Sequence, residues 1–254
     1  PTLTNIYVKK SAVDAYKAAT GWTGYASKVD YKIPGLSIKH KYGTFAREFD
    51  ADLGIYYQEK SAGKVAAFVA PISSVTAGPG DYGSSAYMVK MTSIDEKGGS
   101  TGDYSYVPYE TGVLLKAMEA DTIPADFYYA IGEKDNQSYT ISGNMMIGVT
   151  VKGKTITTGS DPLYVVSANQ GIFKKAPATF NMPVHKAYAK IAGVPAGARM
   201  MVMFMDDYST VTGIDNIPAS DTDSNDAYYN LNGQRIEKPQ HGVYIHNGKK
   251  IIIK

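Results

Sequence analysis

The apolar residues of this chain come in short runs, and a turn cluster stops nearly every one before it reaches the length of a helix. Between residues 42 and 213 the runs lie at 44–49, 65–69, 86–91, 112–116, 127–131, 145–151, 154–158, 163–168, 171–175, 187–191 and 200–205. Thr76-Ala77-Gly78-Pro79-Gly80, Lys97-Gly98-Gly99-Ser100 and Lys152-Gly153 are among the turn clusters that separate them. Many short strands with such turns predict a mostly-β fold, a β-sandwich of short antiparallel strands. No second long amphipathic pattern occurs, which argues against alternating strand–helix architectures. The residue usage agrees: there are 21 Tyr and 25 Gly against 7 Phe and 1 Trp, a strand-favouring, turn-punctuated mixture. Val113-Leu114-Leu115 and Met200 to Met205 are continuous rather than alternating, as expected of strands buried on both faces.

One short helix is predicted near the N-terminus. Ser11 suits its N-cap and Asp14 its first turn, while Ala12, Ala15, Tyr16 and Ala19 form a stripe at helical spacing. Gly21 suits the position just past its end. Ile6-Tyr7-Val8 precedes it as a strand. At the other end, residues 206–226 hold six Asp and no Lys or Arg and lack periodicity, which predicts a linker. Asp221, Asp223 and Asn225 alternate as calcium ligands do, but Asp226 and Asn232 stand where that loop needs its Gly and its final acid. Beyond it, Asn232-Gly233 and Asn247-Gly248 each divide two apolar runs, the strongest short signal for a hairpin. The expected organisation is a cap at 1–35, a sandwich at 36–213, the linker at 214–226 and a hairpin tail at 227–254.

Several segments carry a family resemblance. Ile6 to Trp22, IYVKKSAVDAYKAATGW, resembles the end of a repeat in bacterial surface leucine-rich repeat proteins. Lys9 stands where those repeats usually have Pro. YGTF at Tyr42, TGVLLK at Thr111, NQGIFKK at Asn169 and DD…TGI at Asp206 resemble, in that order, a β-sandwich module of Bacteroidetes surface proteins. The tail YYNLNGQRIEKPQHGVYIHNGKKIIIK resembles a C-terminal module of the same proteins, a shortened relative of their sorting domains. These resemblances imply a secreted or surface location, a modular build and a role in cell adhesion. They attach no catalytic residue. Pro1 reads as the product of processing or of excision from a longer precursor. Asp121-Thr122-Ile123 is similar to the short O-glycosylation motif of that phylum.

Chemistry is thinly marked. The chain has no Cys, which excludes disulfides, thiolate metal sites and a thiol nucleophile. A net charge of +2 provides no field for nucleic acid, and no apolar run is long enough to span a membrane as a helix. The histidines His40, His185, His241 and His246 lack metal-ligand spacing. No nucleophile elbow, P-loop or dinucleotide fingerprint occurs. Glu110 and Glu133 are candidate paired carboxylates only in the sense that any two are. The expectation is a protein that is not an enzyme and needs no cofactor or metal. Its implied partners are a host or bacterial surface protein, or a glycan. The candidate contact residues are aromatic: Tyr104, Tyr106 and Tyr109 in one loop, together with the lone Trp22. Rigid amphipathic Tyr on a loop suits glycan or protein recognition, although packing Tyr on sheet faces leaves the same trace.

Overall fold

The computed structural model describes residues 3–72, 75–77, 86–94, 105–133, 143–194 and 199–204, and the strands of the tail. The chain divides into two compact units, Pro1–Asp206 and Asp207–Lys254. The fold is mostly β and sandwich-like, as the turn-punctuated sequence predicts.

In chain order the strands of the first unit are β1 Ile6–Tyr7, β2 Val29–Asp30, β3 Tyr42–Phe45, β4 Ala51–Asp52, β5 Val65–Val69, β6 Val75–Ala77, β7 Ala86–Ser93 and β8 Tyr106–Val107. Then follow β9 Val113–Ala117, β10 Ala130–Ile131, β11 Met146–Val149, β12 Thr155–Thr157, β13 Leu163–Ser167, β14 Ile172–Lys175, β15 Thr179–Asn181, β16 Lys186–Lys190 and β17 Arg199–Phe204. Two short α-helices, α1 Val13–Ala18 and α2 Ile55–Lys60, accompany them.

The main sheet has ten strands, in the order β11-β16-β13-β14-β17-β7-β5-β9-β3, with β6 beside β7. All its pairings are antiparallel except β17 with β7. Its two ends return to each other. Thr111 bridges Ile147, the Ala187 amide donates to Thr44 Oγ1 at 3.1 Å, and the Ala46 amide donates to the His185 carbonyl at 3.3 Å. Glycine makes this closure sterically feasible. A Cβ on Gly112 would lie 2.7 Å from backbone atoms of Ile147 and Gly148, and one on Gly148 would lie 2.6 Å from the Ala46 methyl.

The continuous apolar runs now have a cause. On β5, Ala66 and Phe68 face one core, while Val65, Ala67 and Val69 face another. On β9, Leu114 joins Phe68, and Val113, Leu115 and Ala117 join the opposite set. Both strands are therefore central layers, which accounts for the uninterrupted apolar stretches Val65–Val69 and Val113–Leu115. The first core lies between β5, β7 and β9 on one side and β11, β13, β14 and β16 on the other, with Met91, Met146, Tyr164 and Phe173 filling it. The second is roofed by Ile33, Ile38, Leu53, α2 and the segment Phe127 to Ala130. A third cluster, with Val149, Ile156, Leu163 and Tyr188, lies where the β12–β15 pair covers β11, β13 and β16.

Several expectations are corrected in detail. Ser11 does not cap α1. A 3₁₀ turn at Lys10–Ala12 precedes the helix, and Ser11 instead donates its amide and hydroxyl to Glu133 at 2.8 and 2.6 Å. The apolar stripe of α1 is not buried; Tyr16 packs edge-on against Trp22 at 4.9 Å. β1 and β2 pair in parallel across this short helical connection. Thr76 and Ala77, expected in a turn, belong to β6. The expected strand at 127–131 is reduced to Ala130–Ile131, because Tyr129 pairs with Ile33 of the N-terminal segment instead. Helix α2 was not anticipated. The acidic linker lies outside the described residues.

The second unit contains β18 Tyr228–Tyr229, β19 Arg235–Ile236, β20 Gly242–His246 and β21 Lys249–Ile253. They form an antiparallel sheet in the order β19-β18-β20-β21. Each Asn-Gly pair separates two strands that pair with each other, as expected.

Candidate functional site

Of the predicted aromatic loop, Tyr106 and Tyr109 are described and differ in exposure. Tyr104 lies outside the described residues. Tyr106 is only 7% exposed, on β8 beside β4. Its ring packs so closely on Gly132 that a Cβ there would fall 2.2 Å from the phenol oxygen. Tyr109 is 59% exposed in the turn after β8. Trp22 is half-buried against Tyr16. Elsewhere, Tyr56, Tyr128 and Tyr129 are core residues and Tyr57 is partly exposed. Thr122 is exposed.

A pocket of about 400 Å³ opens elsewhere, between the N-terminal segment and the closing edge of the sheet. Tyr7 and Ile33 to Leu36 form one wall, Phe45, Arg47 and Tyr129 another, and Val184 to Lys186 the third. Its volume lies in the range of small-ligand sites. The walls are fixed by backbone bonds. Ile33 and Tyr129 exchange amide–carbonyl hydrogen bonds at 2.8 and 3.1 Å. The His185 amide donates to Val149 at 2.7 Å while its carbonyl accepts from Ala46. His185 is held at φ 66°, a left-handed conformation that costs roughly 1–2 kcal/mol for an L residue. The two clamps hold it there.

The polar groups of the pocket form a chain. The Arg47 guanidinium donates to both oxygens of Glu48, at 3.2 and 2.8 Å, and to the Tyr129 hydroxyl. Arg47 also stacks on Phe49, 4.4 Å from the ring centroid. His185 Nε2 lies 3.2 Å from the same Glu48 carboxylate. Burial alone would raise the Glu48 carboxyl, but hydrogen bonds from its own backbone and from Arg47, with the charges of Arg47 and His185, bring it below its ordinary value. Desolvation and the Arg47 charge together push the His185 imidazole down, against Glu48. Burial raises the Tyr129 phenol, and it lowers the Lys186 ammonium. Lys186 makes no ion pair with any described residue.

The two carboxylates singled out in the sequence, Glu133 and Glu110, lie outside the pocket. Glu133 accepts both Ser11 donors, and these, against burial, hold it below its ordinary value. Glu110 is exposed, in a left-handed turn at φ 53°. Among the described residues no group of three or more His, Asp or Glu side chains is arranged to hold a metal ion. No helix among them is long and apolar enough to cross a membrane.

Sequence reasoning missed the pocket because its walls come from five segments, around residues 7, 33–36, 45–47, 129 and 184–186, none carrying a binding motif. The one available signal was chemical: Arg47-Glu48 beside two aromatics, Phe45 and Phe49. No protein-family model, curated protein or solved structure matches the chain.

Proposed function

We propose that this chain is a non-catalytic interaction protein of the adhesin kind, secreted or displayed on a bacterial surface, and that the pocket beside Arg47 is its recognition site. The observation that carries this reading is a pre-formed pocket whose Arg47, Glu48, His185 and Tyr129 groups hold one another in place. The Glu48 carboxylate is held ionised by Arg47 and shared with His185, so it is poorly suited to deliver a proton. Glu59 and Glu133 are likewise held below their ordinary values by hydrogen-bond donors. Fixed donors and acceptors around a pre-formed cavity favour binding, because little ordering cost remains to be met on association. The resemblances of the N-terminal segment, the central strands and the tail to surface proteins of the Bacteroidetes support the location.

A second reading, a carbohydrate-binding module of a glycan-utilisation system, draws on the pocket's composition. The rings of Phe45 and Tyr129 pack edge-to-face at 5.3 Å beside hydroxyl, guanidinium and carboxylate groups. Sugars need that mixture of apolar face and directional hydrogen bonds.

The test is a binding screen of the full chain against immobilised collagen, fibronectin and a panel of polysaccharides. Saturable binding to at least one is expected. Absence of retention on every surface refutes the interaction reading.

A further inference from the structure

We propose that the pocket walled by Tyr7, Phe45, Arg47, His185 and Lys186 takes a carboxylated sugar residue of an acidic glycan, with Lys186 as the counter-ion of the sugar carboxylate. The inference rests on the reading of this pocket as a ligand site and specifies the ligand's chemistry.

Charge gives the first reason. Arg47, Lys186 and His185 line the pocket and Glu48 touches its lining; these are the groups there that can carry charge near neutral pH. Arg47 and Glu48 neutralise each other through two hydrogen bonds at 3.2 and 2.8 Å. His185 Nε2 shares the Glu48 Oε2 that Arg47 Nε also reaches. Lys186 is left over, a half-buried ammonium with no ion pair among the described residues. Burial already destabilises its charged form. A ligand anion at the pocket would restore what desolvation removes, so complementarity asks for one negative charge there.

Shape and polarity give the second. An inorganic anion would leave most of about 400 Å³ unfilled and the apolar walls at Ile33 and Leu36 uncovered. A sugar ring offers C–H faces to Phe45 and those walls, and hydroxyls to the groups around them. The Tyr7 hydroxyl accepts from Asn5 at 3.1 Å, and its own proton is available to a ligand. The pocket offers one ammonium, without an ion pair among the described residues, beside the apolar walls of Ile33, Leu36 and Phe45. That suits one carboxylate on an apolar-faced ring better than the polar backbone and flexible acidic side chains of a peptide.

The experiment compares retention of the full chain on polygalacturonate, on a neutral galactan and on poly-glutamate, by affinity electrophoresis at low salt. Polygalacturonate should retard the protein saturably, neutral galactan much less. Lys186→Met should weaken the retardation by about tenfold or more, the loss of one charge-assisted contact. Tyr7→Phe, which preserves packing, should weaken it by a few fold, and 0.5 M salt should reduce it as for any partly screened charge pair. Folding of each variant is checked by near-ultraviolet circular dichroism. Equal retardation by neutral galactan, or polygalacturonate binding unchanged in Lys186→Met, overturns the charge assignment. Stronger retention on poly-glutamate overturns the sugar assignment. Binding to collagen or fibronectin that Lys186→Met leaves intact overturns this inference while the interaction reading stands; silence on every probe overturns both.

Discussion

Replacing Glu59 by Gln tests how the N-terminal segment is held on the sheet. Glu59 sits on α2, and three donors from distant segments converge on its carboxylate. Lys10 reaches Oε1 at 2.6 Å, the Tyr31 hydroxyl lies 2.9 and 3.0 Å from the two oxygens, and the Tyr128 hydroxyl donates to Oε2. Lys10 and Lys32 also lie over the Tyr31 ring, at 5.3 and 5.4 Å from its centroid. Burial would raise the carboxyl, but the donors prevail and hold it at about 2. Burial and the Glu59 hydrogen bond push the Tyr31 phenol up to about 12 in return. Moving a carboxyl from 4.5 to about 2 would correspond to roughly 3 kcal/mol if nothing screened it. The Lys10 side chain is 47% exposed, so solvent reduces the expected contribution to about 1–2 kcal/mol. The sign follows from the lowered value. The contribution is fully present above about pH 4.5 and disappears as pH falls toward 2. Glu59→Gln should therefore lower the Tm at pH 7 by about 2–6 °C. The gap between wild type and variant should close between pH 4.5 and 2. Amide exchange at Ile6 and Tyr7, whose strand pairs with Val29–Asp30, should speed up in the variant. A variant whose Tm at pH 7 matches wild type, or whose deficit persists unchanged at pH 2, would refute this account of the clasp.

Other substitutions probe the closure of the sheet and its cores. Gly112→Ala sets a methyl 2.7 Å from the backbone of β11 and should cost at least about 2–3 kcal/mol in urea denaturation. Gly132→Ala, which collides with the buried Tyr106 ring, should cost about 1–3 kcal/mol by the same measurement. Leu114→Ala empties a fully buried position of the core between the sheet halves and should cost about 2–5 kcal/mol. Ser11→Ala removes one exposed hydrogen bond to Glu133 and should cost no more than about 1 kcal/mol, read from the thermal midpoint.

What the sequence revealed and what it hid have separate physical causes. β5, β9 and β13 were legible because uninterrupted apolar stretches of three to five residues survive any tertiary context that buries them. The two-residue strands β4 and β8 left no trace, since so short a pairing is set by neighbouring chain rather than by its own pattern. Helix α2 is six residues long and holds two adjacent Tyr, one buried and one partly exposed, so its periodicity has no room to repeat. Ser11 looked like a cap because its side chain suits one; the Glu133 carboxylate, 122 positions away, competes for the same hydroxyl and takes it. Tyrosine was the least legible residue. The same side chain fills the core at Tyr56 and Tyr128, packs on glycine at Tyr106 and stands in solvent at Tyr109. The pocket depends on the return of the sheet's end to β3, which no local pattern encodes.

The most direct test is to titrate the isotope-labelled full chain with trigalacturonate and map amide shifts by nuclear magnetic resonance. Perturbations centred on Tyr7, on Ile33 to Leu36 and on Val184 to Lys186 are predicted, saturating with one site. Shifts confined to Tyr109 and Trp22, or none at saturating sugar, would contradict the assignment of the Arg47 pocket as the recognition site.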